Sequence, residues 1–142
     1  MRELGWRLDW RKFSVYLREK YKVSKTFIFI GYISRNKYFY DLLRSCGYIL
    51  VFKPVIGTGD TIKANCDGDM IMFVVSRCHN FSSAIIVTSD GDFYSTVRLL
   101  YRRKKLAAVL SPNARKCSKL LKNEAKEKIK YLDQLEEILG IP

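Results

Sequence analysis

Two hydrophobic rhythms alternate along this chain. Apolar runs at 26–30, 48–52, 84–88 and 106–110 have the length and the β-branched or aromatic content of strands buried on both faces. Between them, apolar residues recur every three or four positions, as they do on one face of a helix. The first helical stretch is Trp10 to Tyr21, with Phe13, Tyr16, Leu17 and Tyr21 as its apolar face and Asp9 placed to cap it. The second, about Lys37 to Cys46, carries Phe39, Leu42 and Leu43 inward and stops at Gly47. A third covers Met70 to Cys78, with Ile71, Val74, Val75 and Cys78 on one side. Helices are further expected at 93–103, with Phe93, Val97, Leu100 and Tyr101 recurring, at 114–126, and around Leu135 to Leu139 after a short apolar stretch from Ile129 to Leu132. Residues 53–62, with Pro54, Gly57 and Gly59, read as a mobile loop. Strands alternating with helices predict βαβ units, hence an α/β fold with a mainly parallel sheet and helices on both faces.

The polar residues that interrupt this pattern are as informative as the pattern. The run ending at Val87-Thr88 stops at Ser89-Asp90-Gly91-Asp92-Phe93, two carboxylates one glycine apart. Asp and Gly both break strands, so the pair sits on a loop between a strand and a helix. The carboxyl end of such a strand is where open α/β sheets place ligands, and oxygen-only ligands suit Mg²⁺ or Mn²⁺. Asp at a helix start is equally a good N-cap, and on this segment alone the two readings weigh the same. A second acidic pair tips the balance. In Lys63-Ala64-Asn65-Cys66-Asp67-Gly68-Asp69, Asp67 lies one turn before Ile71 on the same side of the helix, facing inward or toward a cleft edge. Asp69 faces another direction and is held in reserve.

Charge changes the picture of what these acids face. The 142 residues include 26 Lys and Arg against 14 Asp and Glu, a net charge of +12, although four of the acids fall within 67–92. Base for phosphates and carboxylates for a cation are what a nucleic-acid-cutting metal site requires, while a merely solubilising surface is the plainer alternative. Arg98, Arg102, Arg103, Lys104 and Lys105 lead into Arg115, Lys116, Lys119 and Lys122, with Tyr94 and Tyr101 interleaved. Arg115, Lys119 and Lys122 fall on or near one face of the expected 114–126 helix, suited to phosphates. The tyrosines are suited either to stacking on unpaired bases or to core packing.

Other classes are set aside by what the sequence lacks. No run approaches the roughly 18 apolar residues of a membrane span, and the start Met1-Arg2-Glu3 is too polar for a signal peptide. Cys46, Cys66, Cys78 and Cys117 show no metal-binding spacing, and His79 is the single histidine. Reduced thiols and a cytoplasmic location are therefore expected, with no Gly-rich phosphate loop.

In order and spacing, Lys63 to Asp67, Ser89 to Phe93, Pro112-Asn113 and Ser118 to Leu121 resemble the NYN branch of the PIN-like (LabA-like) nucleases. The resemblance runs from Leu8 to Leu139. It implies a Rossmann-like three-layer α/β/α sandwich whose aspartates bind Mg²⁺ or Mn²⁺ and hydrolyse RNA phosphodiesters. Carried over residue by residue, Asp67, Asp90 and Asp92 are the catalytic and metal-binding acids, with Asp69 as a further ligand in reserve. Ser89 shapes the site and, with Lys63, Asn65, Arg98, Arg102, Arg115 and Lys119, is assigned to binding single-stranded RNA.

One departure stands out. The family opens with a strand in the middle of the sheet that ends in an aspartate, whereas Met1 to Trp6 already reads as the end of the helix after it. The expectation is therefore one NYN/PIN-like domain over 1–142, truncated at its amino terminus and one carboxylate short. A start assigned too late, a homodimer in which another subunit's strand fills the gap, and a loss of catalysis each account for this. Two functions of different class follow: a metal-dependent endoribonuclease, or a catalytically weak RNA-binding or regulatory module.

Overall fold

The computed structural model describes residues 2–53 and 66–142. The loop of Pro54, Gly57 and Gly59, and the candidates Lys63 and Asn65, lie outside the described residues. The chain forms two compact units, Trp10–Met70 and the residues up to Asp9 together with Ile71–Pro142.

In the first unit, α1 (Trp10–Tyr21), β1 (Phe27–Gly31), α2 (Lys37–Ser45) and β2 (Ile49–Lys53) follow one another, and α3 (Asp67–Ser76) begins. β1 and β2 pair in parallel from Phe27 opposite Ile49 to Gly31 opposite Lys53. A parallel pair needs a crossover, and α2 supplies it. The helix ends as expected, with Gly47 at a φ of +96° and its amide on the Arg44 carbonyl at 3.0 Å. Leu43, Cys46 and Tyr48 bury together, with Trp10, Ile28, Phe39 and Leu50 against them. The inward face of α2 differs from the expectation, for Leu42 is 48% exposed and Tyr40 is buried. The Tyr40 phenol donates to the Gly31 carbonyl and accepts from the Ile33 amide, so its oxygen enters the interior with partners.

The second unit holds β3 (Ala84–Val87), α4 (Tyr94–Arg102), β4 (Leu106–Ser111), α5 (Lys119–Ala125), β5 (Ile129–Tyr131) and α6 (Glu136–Leu139). The strand order is β3-β4-β5, all parallel. The central strand is the most enclosed, as an unbroken apolar run predicts: Leu106, Ala108, Val109, Leu110 and Ser111 are all buried. Val97, Leu100, Leu121 and Leu132 have no exposed surface, and burying each contributes about 1.5–3 kcal/mol. The amino-terminal segment is fastened to the end of the chain. Leu8 bridges Gly140, the Asp9 amide donates to the Leu139 carbonyl at 2.8 Å, and the Ile141 amide donates to Arg7 at 2.9 Å.

Every strand pair is parallel, although the described strands make two sheets, in each of which β1 or β3 has a neighbour on one side only among the described residues. The helix expected at 114–126 is shorter and starts at Lys119. The Asn113 side chain accepts the amides of Arg115 and Lys116 at 2.9 and 3.2 Å, a local turn that competes with helix. Ser118 then stays extended, its amide on the Ser89 carbonyl. Arg115 is therefore not on a helical face with Lys119 and Lys122. No helix among the described residues is long and apolar enough to cross a membrane.

Candidate active site

The acidic turn is built on the end of β3. Thr88 continues the ladder, its amide on the Leu110 carbonyl at 3.1 Å. Ser89 is buried, and its hydroxyl lies 2.7 Å from that of Ser111. Ser111 gives its own proton to the Asn113 carbonyl at 3.1 Å, so Ser89 is the donor between them. Ser89 thus roots the turn from beneath. Asp90 follows in extended conformation, and its Oδ1 accepts the Asp92 amide at 2.8 Å. That bond caps the tight turn Gly91–Phe93, which runs straight into α4. The capping reading is correct for one oxygen of Asp90, which leaves Oδ2 and the whole exposed carboxylate of Asp92 for other work.

Gly91 is required where it stands. A Cβ there would lie 2.5 Å from Ser118 Oγ and 3.1 Å from Ser118 Cβ. The missing side chain lets the acidic turn lie against the lead-in to α5, which carries the exposed Arg115, Lys116 and Lys119. Acid and base are juxtaposed within this one unit.

Arg98, Tyr101, Arg103 and Lys105 of the expected basic stripe are engaged with their own chain. The Arg98 guanidinium sits 2.6 Å from Glu124 and 5.5 Å from the centre of the Tyr94 ring. That hydrogen bond holds the Glu124 carboxyl below its ordinary range and raises Arg98 in turn. The Tyr101 hydroxyl donates to Glu127, and the Lys126 ammonium lies 4.7 Å from the Tyr101 ring centre. Arg103 reaches the Cys78 sulfur, and Lys105 donates to the carbonyls of Cys78 and Phe81. Arg102 remains exposed.

In the other unit, Asp67 opens α3 half-buried and lines a cavity at the carboxyl end of β1. Asp69 is exposed, 3.9 Å from the Lys53 ammonium. Beside them, burial and the two aspartates push the Cys66 thiol up, against the opposing pull of Lys53. Asn36 and Cys66, to which the sequence pattern assigns no role, and Tyr40, which it leaves unassigned, share the cavity with Asp67.

Comparison with known proteins decides the family. The NYN domain model matches residues 2–133. The chain belongs to the NYN family. Its fold is shared by the crystal structure of a protein of unknown function from Vibrio parahaemolyticus, at a TM-score of 0.75 and 22% identity, covering 93% of this chain and 82% of that one. No curated protein matches it significantly.

NYN domains belong to a nuclease-type superfamily. The candidate metal ligands of this chain are Asp90 and Asp92 on the acidic turn and Asp67 at the start of α3 in the other unit. The donors are oxygen throughout, and at least one Asp90 oxygen and the Asp92 carboxylate are exposed, so the set fits a hard divalent cation with water in its remaining positions.

Proposed function

We propose that this NYN domain is a ribonuclease that hydrolyses phosphodiesters of single-stranded RNA, with Asp67, Asp90 and Asp92 holding Mg²⁺ or Mn²⁺. The observation that carries the reading is the Asp90-Gly91-Asp92 turn, its carboxylates exposed, seated against Ser118, a residue flanked in the chain by the exposed Arg115, Lys116 and Lys119. A divalent cation bound there supplies the Lewis acidity that activates water and offsets charge on the phosphate. The chain's own residues do the positioning. Ser89, tied to Ser111, and the Asp90 cap fix the turn before substrate arrives, and Arg115, Lys116 and Lys119 attract and orient the backbone of the strand to be cut. Arg102 extends that basic surface, while Arg98 serves it indirectly, by pinning α5 to α4 through Glu124.

Asp90→Asn separates chemistry from folding, because the amide oxygen still accepts the Asp92 N–H while the charge is gone. Labelled single-stranded RNA incubated with Mn²⁺ is expected to be cleaved by the wild-type chain. EDTA should abolish that cleavage, and Asp90→Asn should lower it on the order of a hundredfold or more with the urea midpoint unchanged. RNA binding without metal-dependent cleavage overturns the reading.

A further inference from the structure

The cavity beside Asp67 has a composition of its own. It encloses about 510 Å³, within the roughly 300–1,000 Å³ of small-molecule sites. Its walls are Phe29, Ile30, Ile33 and Tyr40, and its polar groups are Asn36 and Asp67. Two features are unusual for a structural hollow. Asn36 occupies the N-cap position of α2, where an Asn side chain ordinarily accepts a helix amide, yet it makes no such bond. Its amide, able to donate and accept side by side, belongs to a residue that lines the cavity. Tyr40 meanwhile has its hydroxyl occupied by Gly31 and Ile33, so the ring offers the cavity an apolar surface and the corner between β1 and α2 is held open.

The lining selects among ligands. A carboxylate at its edge repels a phosphate, and apolar walls favour a flat uncharged body. A neighbouring donor and acceptor complement a nucleobase edge, the pairing by which Asn reads adenine. We propose that this cavity receives an unpaired nucleobase of the RNA substrate, held beside Asp67 by the Asn36 amide and the walls of Phe29, Ile33 and Tyr40. The proposal deepens the ribonuclease reading and rests on it for the identity of the polymer. The position is consistent with the sheet, since Gly31 ends β1 and Asn36 and Asp67 open α2 and α3, the place where parallel strands present ligands.

Cys66 makes the cavity testable without any cleavage. It lines the cavity and is half-buried, whereas Cys46, Cys78 and Cys117 are buried. The native chain, in EDTA at alkaline pH, is treated with iodoacetamide and carboxamidomethylation of Cys66 is followed by peptide mass. Saturating adenosine should slow the reaction on the order of tenfold, since only ligand-free protein reacts, and ribose at the same concentration should leave it unchanged. Asn36→Leu should abolish protection, and the isosteric Asn36→Asp should weaken it, each judged against that variant's own ligand-free labelling rate. No protection by adenosine, equal protection by ribose, or full protection in both Asn36 variants overturns the proposal. Because no cation is present, loss of protection alongside intact Mn²⁺-dependent cleavage sinks the base site alone. Protection without cleavage sinks the nuclease reading alone.

Discussion

Replacing Gly91 with alanine tests whether the acidic turn depends on contact with α5. The added Cβ meets Ser118 Oγ at 2.5 Å and Ser118 Cβ at 3.1 Å. Rotation of the hydroxyl relieves the first contact and leaves the second. The Ser118 backbone cannot retreat freely, because its amide is bonded to the Ser89 carbonyl at 3.1 Å and Leu121, one turn on, is fully enclosed. Overpacking of this kind costs about 1–3 kcal/mol. Gly91 does not sit at positive φ, so alanine recovers about 0.4–1 kcal/mol by restricting the unfolded chain. The net expectation is a loss of about 1–2 kcal/mol, or a melting temperature lower by roughly 2–8 °C for a chain of this size. Ser118→Gly removes both opposing atoms, and in that background Gly91→Ala should cost nothing or stabilise slightly. Urea denaturation of the four proteins of this cycle, followed by circular dichroism, gives the coupling. An equal cost of Gly91→Ala in both backgrounds refutes the packing argument.

Two further outcomes follow from the hydrogen bonds around the turn and α5. Ser111→Ala leaves the buried Ser89 hydroxyl without its acceptor and should cost about 1–3 kcal/mol by chemical denaturation, while the Ser89→Ala/Ser111→Ala double variant should cost less than the single one. Glu124, whose carboxyl is lowered from 4.5 by Arg98, contributes stability that is fully present above its unfolded value and is lost as pH falls through the folded one. The stability difference between wild type and Glu124→Gln should therefore stay flat from pH 7 to 5 and fade below about pH 4. A difference that grows on acidification contradicts the pairing.

The strands were legible because parallel strands covered on both faces leave unbroken apolar runs, and those at 26–30, 48–52, 84–88 and 106–110 fall within a residue of the observed spans. Asp90-Gly91-Asp92 was legible for a similar reason, since the sequence marks both the end of a strand and the start of a helix there. What escaped depends on partners far along the chain. Nothing near Ser118 announces that its amide belongs to Ser89, so the sequence pattern starts α5 too early. A count of cations does not reveal that Arg98 faces a glutamate 26 residues on. Helix α2 shows the limit of periodicity: it admits Tyr40 or Leu42 to the inner face, and the choice falls to two backbone groups near Gly31 that accept and supply hydrogen bonds. Lys22 and Lys104 close helices at φ of 60° and 59°, where sequence rules look for glycine.

The fastening of Leu8 and Asp9 to Leu139 and Gly140 orders events during synthesis. The unit from Trp10 to Met70 is continuous, and its parallel pair and crossover helix are complete once that stretch has left the ribosome. The unit that bears the acidic turn is not, because its first residues wait for its last. At roughly 5–20 residues per second, the stretch from 71 to 140 occupies several seconds of translation. Throughout that interval Leu4 and Leu8, both buried in the finished protein, have no carboxyl-terminal segment to pack on. Residues 7–9 are made well before the segment that holds them and are among the last parts of this unit to be secured.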